Sequence, residues 1–415
     1  MKRSALIFGM GAGAPLLALG LGAPTAWADG ATPTTAGTHN GGVAVSVNGH
    51  SFGIGNSTAT TTAGSHSIAV AINNSSATAE GTRNIAVAVN GSTAYAGGGT
   101  NNRAVALNGS TARAEGGDNN YARAVNRSDA QAGGSGVFAG SGNTAIAQGT
   151  CLPGVVCARS VATAGRGDNG TAVVKGNGSS AVALRGSNTT VIGDHSAAGG
   201  DVGGGGTKNT YLVVGNNNDV TSKSSHSTAI VIGDNNNVGS GSGEDNYALA
   251  VGNGSRAVSG YGNGNSAVVI GDSGEARAQG DGASATVMGD DSHAYAYGAQ
   301  NTATVRGVGS DAIARDGSGN TAKVIGDASV AFAGHGDLNT AVVIGDDSAA
   351  SAGPATYPDP ANLGGNNNTA VVRGDHSVAG AGGSQVSVGN GNTAEANADH
   401  VTAVATGDGT VVIEP

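Results

Sequence analysis

The sequence predicts an all-β fold, a parallel β-solenoid in which about nineteen coils of 17–19 residues form a flattened roll with two sheets. Three observations predict it. A short unit recurs at a nearly fixed period, which is typical of solenoids. Small apolar residues alternate with more polar ones inside each unit, as in half-buried strands. Large apolar side chains are scarce, since glycine alone accounts for 76 of 415 residues, and a conventional core needs more of them.

The best-preserved unit reads Asn-Thr-Ala-Val-Val-Ile-Gly-Asp and occupies residues 339–346. When each copy is aligned on Gly345, the aligned position recurs at residues 48, 73, 90, 108, 126, 149, 176, 193, 215, 233, 252, 271, 289, 307, 326, 345, 374, 389 and 407. Most steps are 17, 18 or 19 residues long, and the longer steps predict loops near residues 49–66, 127–142, 150–168, 194–207 and 346–367.

Charged copies of the unit indicate which side of the strand is buried. In an extended strand, alternate residues face opposite sides. Lys323, Arg306 and Lys175 occupy the Thr/Val/Ile positions of their units, whereas the Ala and Val positions stay apolar. A buried lysine is costly, so the Ala/Val side is predicted to face the interior. A second short strand, such as Ala-Arg-Ala at 276–278, follows the turn and is predicted to bury its alanines.

Asparagine recurs six residues before the aligned position in many units. Stacked coil upon coil, these amides are predicted to form a hydrogen-bonded ladder along the rod. The members chosen as the structural ladder are Asn265, Asn301, Asn320 and Asn339.

Aspartate follows the aligned glycine in many units and offers weak candidates for a metal site, namely Asp272, Asp290, Asp327 and Asp346. Stacked carboxylates repel each other unless a cation such as Ca²⁺ neutralises them. The spacing does not match the nonapeptide calcium repeat, so solvated turn residues are favoured and no cofactor is expected. Exposed turn positions are likewise favoured over a metal site for His195, His293 and His376.

The chain begins like an exported protein. Residues 1–28 read as a signal peptide with a basic start, an apolar middle and a small-x-small cleavage site, and an uncleaved membrane anchor is the alternative. A short linker is predicted at 29–41 and the solenoid at 42–413. No second long apolar segment follows, so no transmembrane segment is expected after signal removal. The predicted location is therefore outside the cell or on its surface, reached through the general secretory route.

Export also bears on the two cysteines, Cys151 and Cys157, which lie in one predicted loop. Disulfides form in oxidising compartments, so a bond that closes this loop is predicted.

Charge argues against some partners. The chain has 19 basic and 29 acidic residues, a net charge of −10. Nucleic acid and anionic membranes require a basic face, and both are disfavoured. Weakly charged, glycine-rich chains are often disordered, and a low-complexity wall or matrix protein is one alternative interpretation.

Two kinds of exposed side chain are candidates for binding. The outward rows Thr340, Val342, Ile344 and Ser266, Val268, Ile270 predict a flat β-branched face that suits a partner or self-association, with ice binding a remote alternative. The aromatic residues predicted to project outward could stack on sugars or pack against neighbouring coils; they are Tyr95, Tyr121, Tyr295, Tyr297 and Phe332.

The Asn-Ser/Thr-Ala-Val-Val-Ile-Gly-Asp units resemble the head repeats of trimeric autotransporter adhesins, over roughly residues 42–413. The resemblance implies a parallel β-roll that binds host surfaces and self-associates. The sequence departs from that family in its longer period, and a heptad stalk and a membrane anchor are not expected. What carries over is the β-roll shaft, with surface binding as the weaker inference.

The function predicted from the sequence is therefore an exported, non-enzymatic structural or binding protein of the cell surface, adhesin-like, whose partner is a second copy, a surface protein or a glycan. A β-helix enzyme, either a polysaccharide lyase or an acyltransferase built from hexapeptide repeats, is the alternative. No catalytic residues are predicted, because Ser, His and Asp recur too often here to single out a triad.

Overall fold

The computed structural model describes residues 41–134, 139–150, 158–200, 207–354, 365–383 and 389–415, and these contain strands and turns but no helix. The predicted signal peptide, nearly all of the linker, and the cysteines Cys151 and Cys157 lie outside the described residues.

One sheet, called sheet A, contains twenty strands. In chain order they are β1 (Val43–Val47), β2 (His50–Ile54), β4 (Ile68–Ile72), β6 (Ile85–Val89), β8 (Arg103–Leu107), β10 (Tyr121–Val125), β12 (Thr144–Gln148), β14 (Thr171–Lys175), β16 (Asn188–Ile192), β18 (Thr210–Val214), β20 (Thr228–Ile232), β22 (Tyr247–Val251), β24 (Ser266–Ile270), β26 (Ser284–Met288), β28 (Thr302–Arg306), β30 (Thr321–Ile325), β32 (Thr340–Ile344), β34 (Thr369–Arg373), β36 (Thr393–Ala396) and β38 (Val411–Glu414).

The other sheet, sheet B, lies opposite. Its strands are β3 (Thr58–Thr61), β5 (Ser76–Ala79), β7 (Thr93–Ala96), β9 (Thr111–Glu115), β11 (Asp129–Gly133), β13 (Val161–Gly165), β15 (Ser180–Leu184), β17 (Ala197–Gly200), β19 (Asp219–Ser222), β21 (Asn237–Ser240), β23 (Arg256–Gly260), β25 (Glu275–Gln279), β27 (His293–Tyr297), β29 (Asp311–Ala314), β31 (Val330–Ala333), β33 (Ala349–Pro354), β35 (Val378–Gly383) and β37 (Thr402–Thr406).

Each coil contributes one strand to each sheet and pairs in parallel with the coil before it, as in the register Thr321↔Thr340 of β30 and β32. About seventeen such turns follow one another from β4 to β37, so the predicted two-sheet parallel solenoid is confirmed. At a strand spacing of about 4.8 Å, the turns form a rod roughly 80 Å long.

The core is a narrow layer of alanine and valine between the two sheets. Ala341 and Val343 of β32 are fully buried, as are Ala331 and Ala333 of β31. Lys323, at a Thr/Val/Ile position, is exposed. The burial pattern therefore matches the predicted assignment of the Ala/Val side to the interior, and alanine allows the sheets to approach closely.

The two ends of the rod differ from a uniform repeat. Strand β1 pairs antiparallel with both β2 and β4, so an antiparallel hairpin closes the N-terminal end of sheet A. In the earlier coils, the aligned residue comes directly after a strand of sheet A. Near the C-terminus the order changes, because residues 389 and 407 come before the sheet A strands β36 and β38. The sequence of β37, Thr-Ala-Val-Ala-Thr, has the inward pattern of either sheet, and its pairing with β35 places it in sheet B.

Candidate functional site

The outer face of sheet A carries the residues predicted to form an interaction face. In β24 and β32, the first, third and fifth side chains point outward, which places Ser266, Val268 and Ile270 beside one another and Thr340, Val342 and Ile344 four coils away. The most exposed are Ile270 and Ile344, both at 43%. These exposed apolar side chains occupy equivalent positions on the paired strands of sheet A.

This apolar face extends beyond the predicted C-terminal half. From β16 to β26 the outward apolar side chains form a central patch, consisting of Ile192, Leu212, Val214, Ile230, Ile232, Leu249, Val251, Val268, Ile270 and Met288. Lys175 of β14 and Arg306 of β28 flank it. Strands β1, β4 and β6 add a second, N-terminal patch of valine and isoleucine. A contiguous exposed apolar patch of this kind often marks an interaction site.

The predicted asparagine ladder lies inside the coil, where its members are almost completely buried. The Asn320 Oδ1 atom accepts the backbone N–H of Asn339 at 2.9 Å, and its Nδ2 atom donates to the Gly336 carbonyl at 2.8 Å. Asn265 and Asn301 accept from the next coil in the same way. The amides therefore bond chiefly to backbone, where the sequence suggested contacts between amides.

A second buried ladder, of serine, was missed by the sequence analysis. The Ser329 Oγ atom accepts the backbone N–H of Ser348 at 3.1 Å and donates to the Gly345 carbonyl at 2.8 Å. Ser310 repeats this arrangement one coil earlier. The signal was the serine that precedes many sheet B strands. Both ladders satisfy turn backbone that would otherwise be buried without partners.

The aspartate column performs a related task on the surface. The Asp346 Oδ1 atom accepts the backbone N–H of Asp327 at 2.8 Å, and Asp327 accepts that of Val308 at 2.8 Å. Asp290 and Asp272 accept N–H groups from their preceding coils in the same way. Each of these carboxylates therefore joins its own turn to the backbone of the preceding coil.

No cluster of three or more potential metal ligands occurs in the described part of the chain. His195 and His376 lie on separate turns, whereas His293 is the first residue of β27 and not a turn residue as predicted, and its Nδ1 atom lies 2.8 Å from Asp311 Oδ1. His376 stacks on His400 with ring centroids 4.9 Å apart.

The predicted outward aromatics fall into different environments. Tyr295 and Tyr297 stack on the outer face of sheet B with centroids 6.0 Å apart. Tyr121 lies on the sheet A face, with the Arg103 guanidinium 5.7 Å from its ring centre. Phe332 keeps the outward register between Ala331 and Ala333 but is only 1% exposed, as the predicted alternative of packing against neighbouring coils implies. Its ring packs against Arg315 and His335, so it contributes to packing and offers no stacking surface.

A polar cluster surrounds Glu275 on sheet B. Arg256 and Arg277 donate to its Oε1 atom at 2.9 and 2.7 Å, and the Tyr295 hydroxyl donates to Oε2 at 2.8 Å. Burial alone would raise the pKa of Glu275, but the hydrogen bonds from Arg277, Tyr295 and Arg256 outweigh it and lower the pKa below its ordinary value of 4.5. Burial and the bond to Glu275 raise the pKa of Tyr295, which therefore remains a donor.

This cluster predicts a pH dependence of stability. Because folding lowers the pKa of Glu275, its contribution is fully present above about pH 4.5 and is lost as the pH falls through the lower folded value. The difference in free energy of unfolding between wild type and Glu275→Gln is expected to shrink over that acid range. Urea unfolding at several pH values measures it, with Glu244→Gln on an exposed turn as the reference. A difference that stays constant down to pH 3 or so would contradict the assignment.

No family model matches the chain, and no curated protein or solved structure is significantly similar to it. Within the described ranges, there is no helix of the length and apolarity needed to cross a membrane.

Proposed function

We propose that this chain is an exported, non-enzymatic rod of the cell surface, adhesin-like, in which the outer face of sheet A is buried against a second copy of the chain. The observation that supports self-association is the apolar central patch, which continues over the six strands from β16 to β26. Water contact with such a surface is unfavourable, and a flat, regular face is self-complementary in shape.

The size of the face is adequate for a stable assembly. Twenty strands at about 4.8 Å, each about 16 Å wide over five residues, give roughly 1,500 Å² of outer surface. A stable protein interface buries about 800 Å² on each partner. About half of the sheet A face is therefore enough: the six strands of the central patch supply roughly 460 Å² of it, and the rest falls on neighbouring strands, of which β14 and β28 carry Lys175 and Arg306.

The resemblance of the repeats to the heads of trimeric autotransporter adhesins favours an assembly of three copies, in which the sheet A faces line the contact. The buried ladders agree with a structural role, because they link most of the described coils to their neighbours and keep the faces in register. In such an assembly the outer face of sheet B and the loops remain exposed, and they would bind other surfaces.

Replacing Val268 by lysine is expected to weaken self-association at least ten-fold, because its ammonium group would have to be desolvated at the centre of the contact. Val258→Lys is the matched control, since Val258 holds the middle outward position of β23, on the opposite face. Light scattering coupled to size exclusion measures the assembly of the full chain. A wild type that stays monomeric at micromolar concentration, or equal weakening by both variants, would rule out this interface.

A further inference from the structure

The outer face of sheet B carries a depression. It spans β9, β11 and β13 and has a volume of about 300 Å³. Its polar lining consists of Thr111, Arg113, Asp129, Gln131, Arg159 and Thr163. Parallel pairing fixes their spacing, because Arg113 lies beside Gln131 and Gln131 beside Thr163 on successive strands. The volume is sufficient for one sugar ring with its substituents.

Two groups in the depression lack partners. Among the described residues, Arg113 forms no ion pair, although it is a cation that presents five donors. The Asp129 Oδ1 atom is buried and accepts no hydrogen bond, whereas Oδ2 is 2.9 Å from the Arg159 guanidinium. Native proteins leave few buried polar atoms unsatisfied, so Asp129 Oδ1 is an exception that requires an explanation, while Arg113 is the cation without an anion.

The same motif elsewhere in the rod shows what a purely structural version looks like. Arg277 occupies the central position of an Ala-Arg-Ala strand, like Arg113, but Glu275 stands two residues before it and neutralises it. Thr111 holds that place before Arg113. The cluster around Glu275 is thus complete within the protein. The cluster around Arg113 lacks an anion at the position that Glu275 would fill, and Glu115, two residues after Arg113, accepts a bond from Gln131 at 3.2 Å and forms no ion pair with Arg113.

The distribution of charge along the chain also favours an anionic ligand here. Residues 30–190 contain nine basic and five acidic residues, a net charge of +4, while residues 191–415 contain eight basic and 23 acidic ones, a net charge of −15. The net charge of the whole chain conceals this division. The depression lies in the basic half, where the local field attracts anions.

We propose that this depression binds an acidic saccharide, with a carboxylate of the sugar paired to Arg113 and its hydroxyl groups bonded to Asp129, Gln131 and Thr163. A guanidinium suits a carboxylate because its two parallel N–H groups match the two oxygens. The remaining polar side chains supply the closely spaced donors and acceptors that a ring of hydroxyls requires. Tyr95, which lies beside Arg113 on β7, adds an aromatic surface at the edge.

This inference rests on the surface-binding part of the proposed function and names its ligand class. It is independent of the sheet A contact, because the depression is on the opposite sheet. A failure of saccharide binding in a chain that still assembles would overturn this inference alone.

The test uses the full chain and a pair of matched ligands, D-glucuronic acid and its neutral amide, whose binding is followed by ligand-observed NMR titration. The acid is expected to bind at least ten-fold more tightly than the amide. Arg113→Ala is expected to abolish that preference, and Arg113→Lys to keep part of it, because lysine retains the charge without the bidentate geometry. Arg277→Ala is the control and is expected to bind as the wild type does. Circular dichroism and the oligomeric state confirm that each variant is folded.

Equal binding of the acid and the amide, no binding of either at millimolar concentration, or an Arg113→Ala variant that binds normally would each overturn the proposal. A dipeptide with a free C-terminal carboxylate, titrated in parallel, tests whether the depression binds peptides instead of saccharides. Tight dipeptide binding without glucuronic acid binding would also overturn it, in favour of a peptide site.

Discussion

Replacing Asn320 by alanine is expected to lower the free energy of unfolding by about 3 kcal/mol or more, because one fully buried backbone N–H and two partly buried carbonyls lose their partners at once. The Asn320 side chain is fully buried. It receives the N–H of Asn339 at 2.9 Å and donates to the carbonyls of Gly336 and Arg315 at 2.8 and 3.2 Å. Because Asn339 is fully buried, alanine leaves its N–H without an acceptor, and the two partly buried carbonyls each lose a donor.

The effect is expected to spread along the rod. In a solenoid, each coil contacts only its neighbours, so a weakened coil loosens the adjacent ones first. Amide hydrogen exchange should therefore quicken most at Asn339, whose N–H loses its acceptor, and less at distant coils. Urea unfolding followed by circular dichroism measures the overall loss, and exchange measured by mass spectrometry or NMR locates it.

Asn263→Ala is the matched control for this prediction. The Asn263 Oδ1 atom also accepts a backbone N–H from the neighbouring coil, that of Glu244 at 2.8 Å, but the residue is exposed. Water can replace the lost acceptor there, so a loss below about 1 kcal/mol is expected. Similar losses for the two variants would mean that burial of the ladder contributes little to its strength.

The regular part of the fold could be predicted because one rule governs every coil. Small residues must face the narrow interior, and charged ones such as Lys323 and Arg306 mark the outside. The alternation therefore fixed both the strand positions and the buried side. Because the two sheets bury such similar residues, the sequence also misplaced the aligned positions 389 and 407 at the C-terminal end. The inward pattern of β37 suits either sheet, and only its pairing partner decides to which sheet it belongs.

The N-terminal hairpin could not be recognised from local sequence. Its turn is Asn48-Gly49, with φ of 54° and 90°, and Asn-Gly strongly favours hairpins. The same dipeptide at Asn90-Gly91 also has positive φ at both residues, yet there it joins strands of different sheets. The dipeptide sets the local backbone. The direction of the next strand depends on which neighbour is available for pairing, and within the described residues no parallel strand precedes β1.

Side chains that depart from the small-residue rule were also beyond sequence reasoning. Tyr211 occupies an interior position of β18 and is 2% exposed, although alanine or valine is usual there. The depression around Arg113 depends on Arg159, which lies 30 residues after its partner Asp129 because a long insertion separates their strands. Such contacts depend on how strands on either side of a long insertion pair with each other, and the repeat period does not reveal that pairing.

Replacing Gly326 by alanine is expected to destabilise the rod by about 3 kcal/mol or more, because the glycine meets two requirements at once. Its φ of 149° lies in a region that L-residues rarely adopt, at a cost of about 1–3 kcal/mol. A Cβ atom at this position would also lie far inside van der Waals contact with the carbonyl oxygen of Gly345 in the next coil. That oxygen belongs to rigid backbone, so the coils themselves would have to separate.

Gly309→Ala distinguishes the two contributions. Gly309 has a φ of 62°, but a Cβ atom there would have no neighbour within 4 Å. Alanine at this position would cost only the strain of a positive φ, without a steric clash, and a loss of about 1 kcal/mol in the free energy of unfolding is expected. If urea unfolding gave equal losses for Gly309→Ala and Gly326→Ala, close approach between coils would not be the reason for glycine at the aligned position. A larger loss at Gly326 would mean that these glycines set the spacing of the coils, since Gly289, Gly307 and Gly345 have the same contact with the following coil.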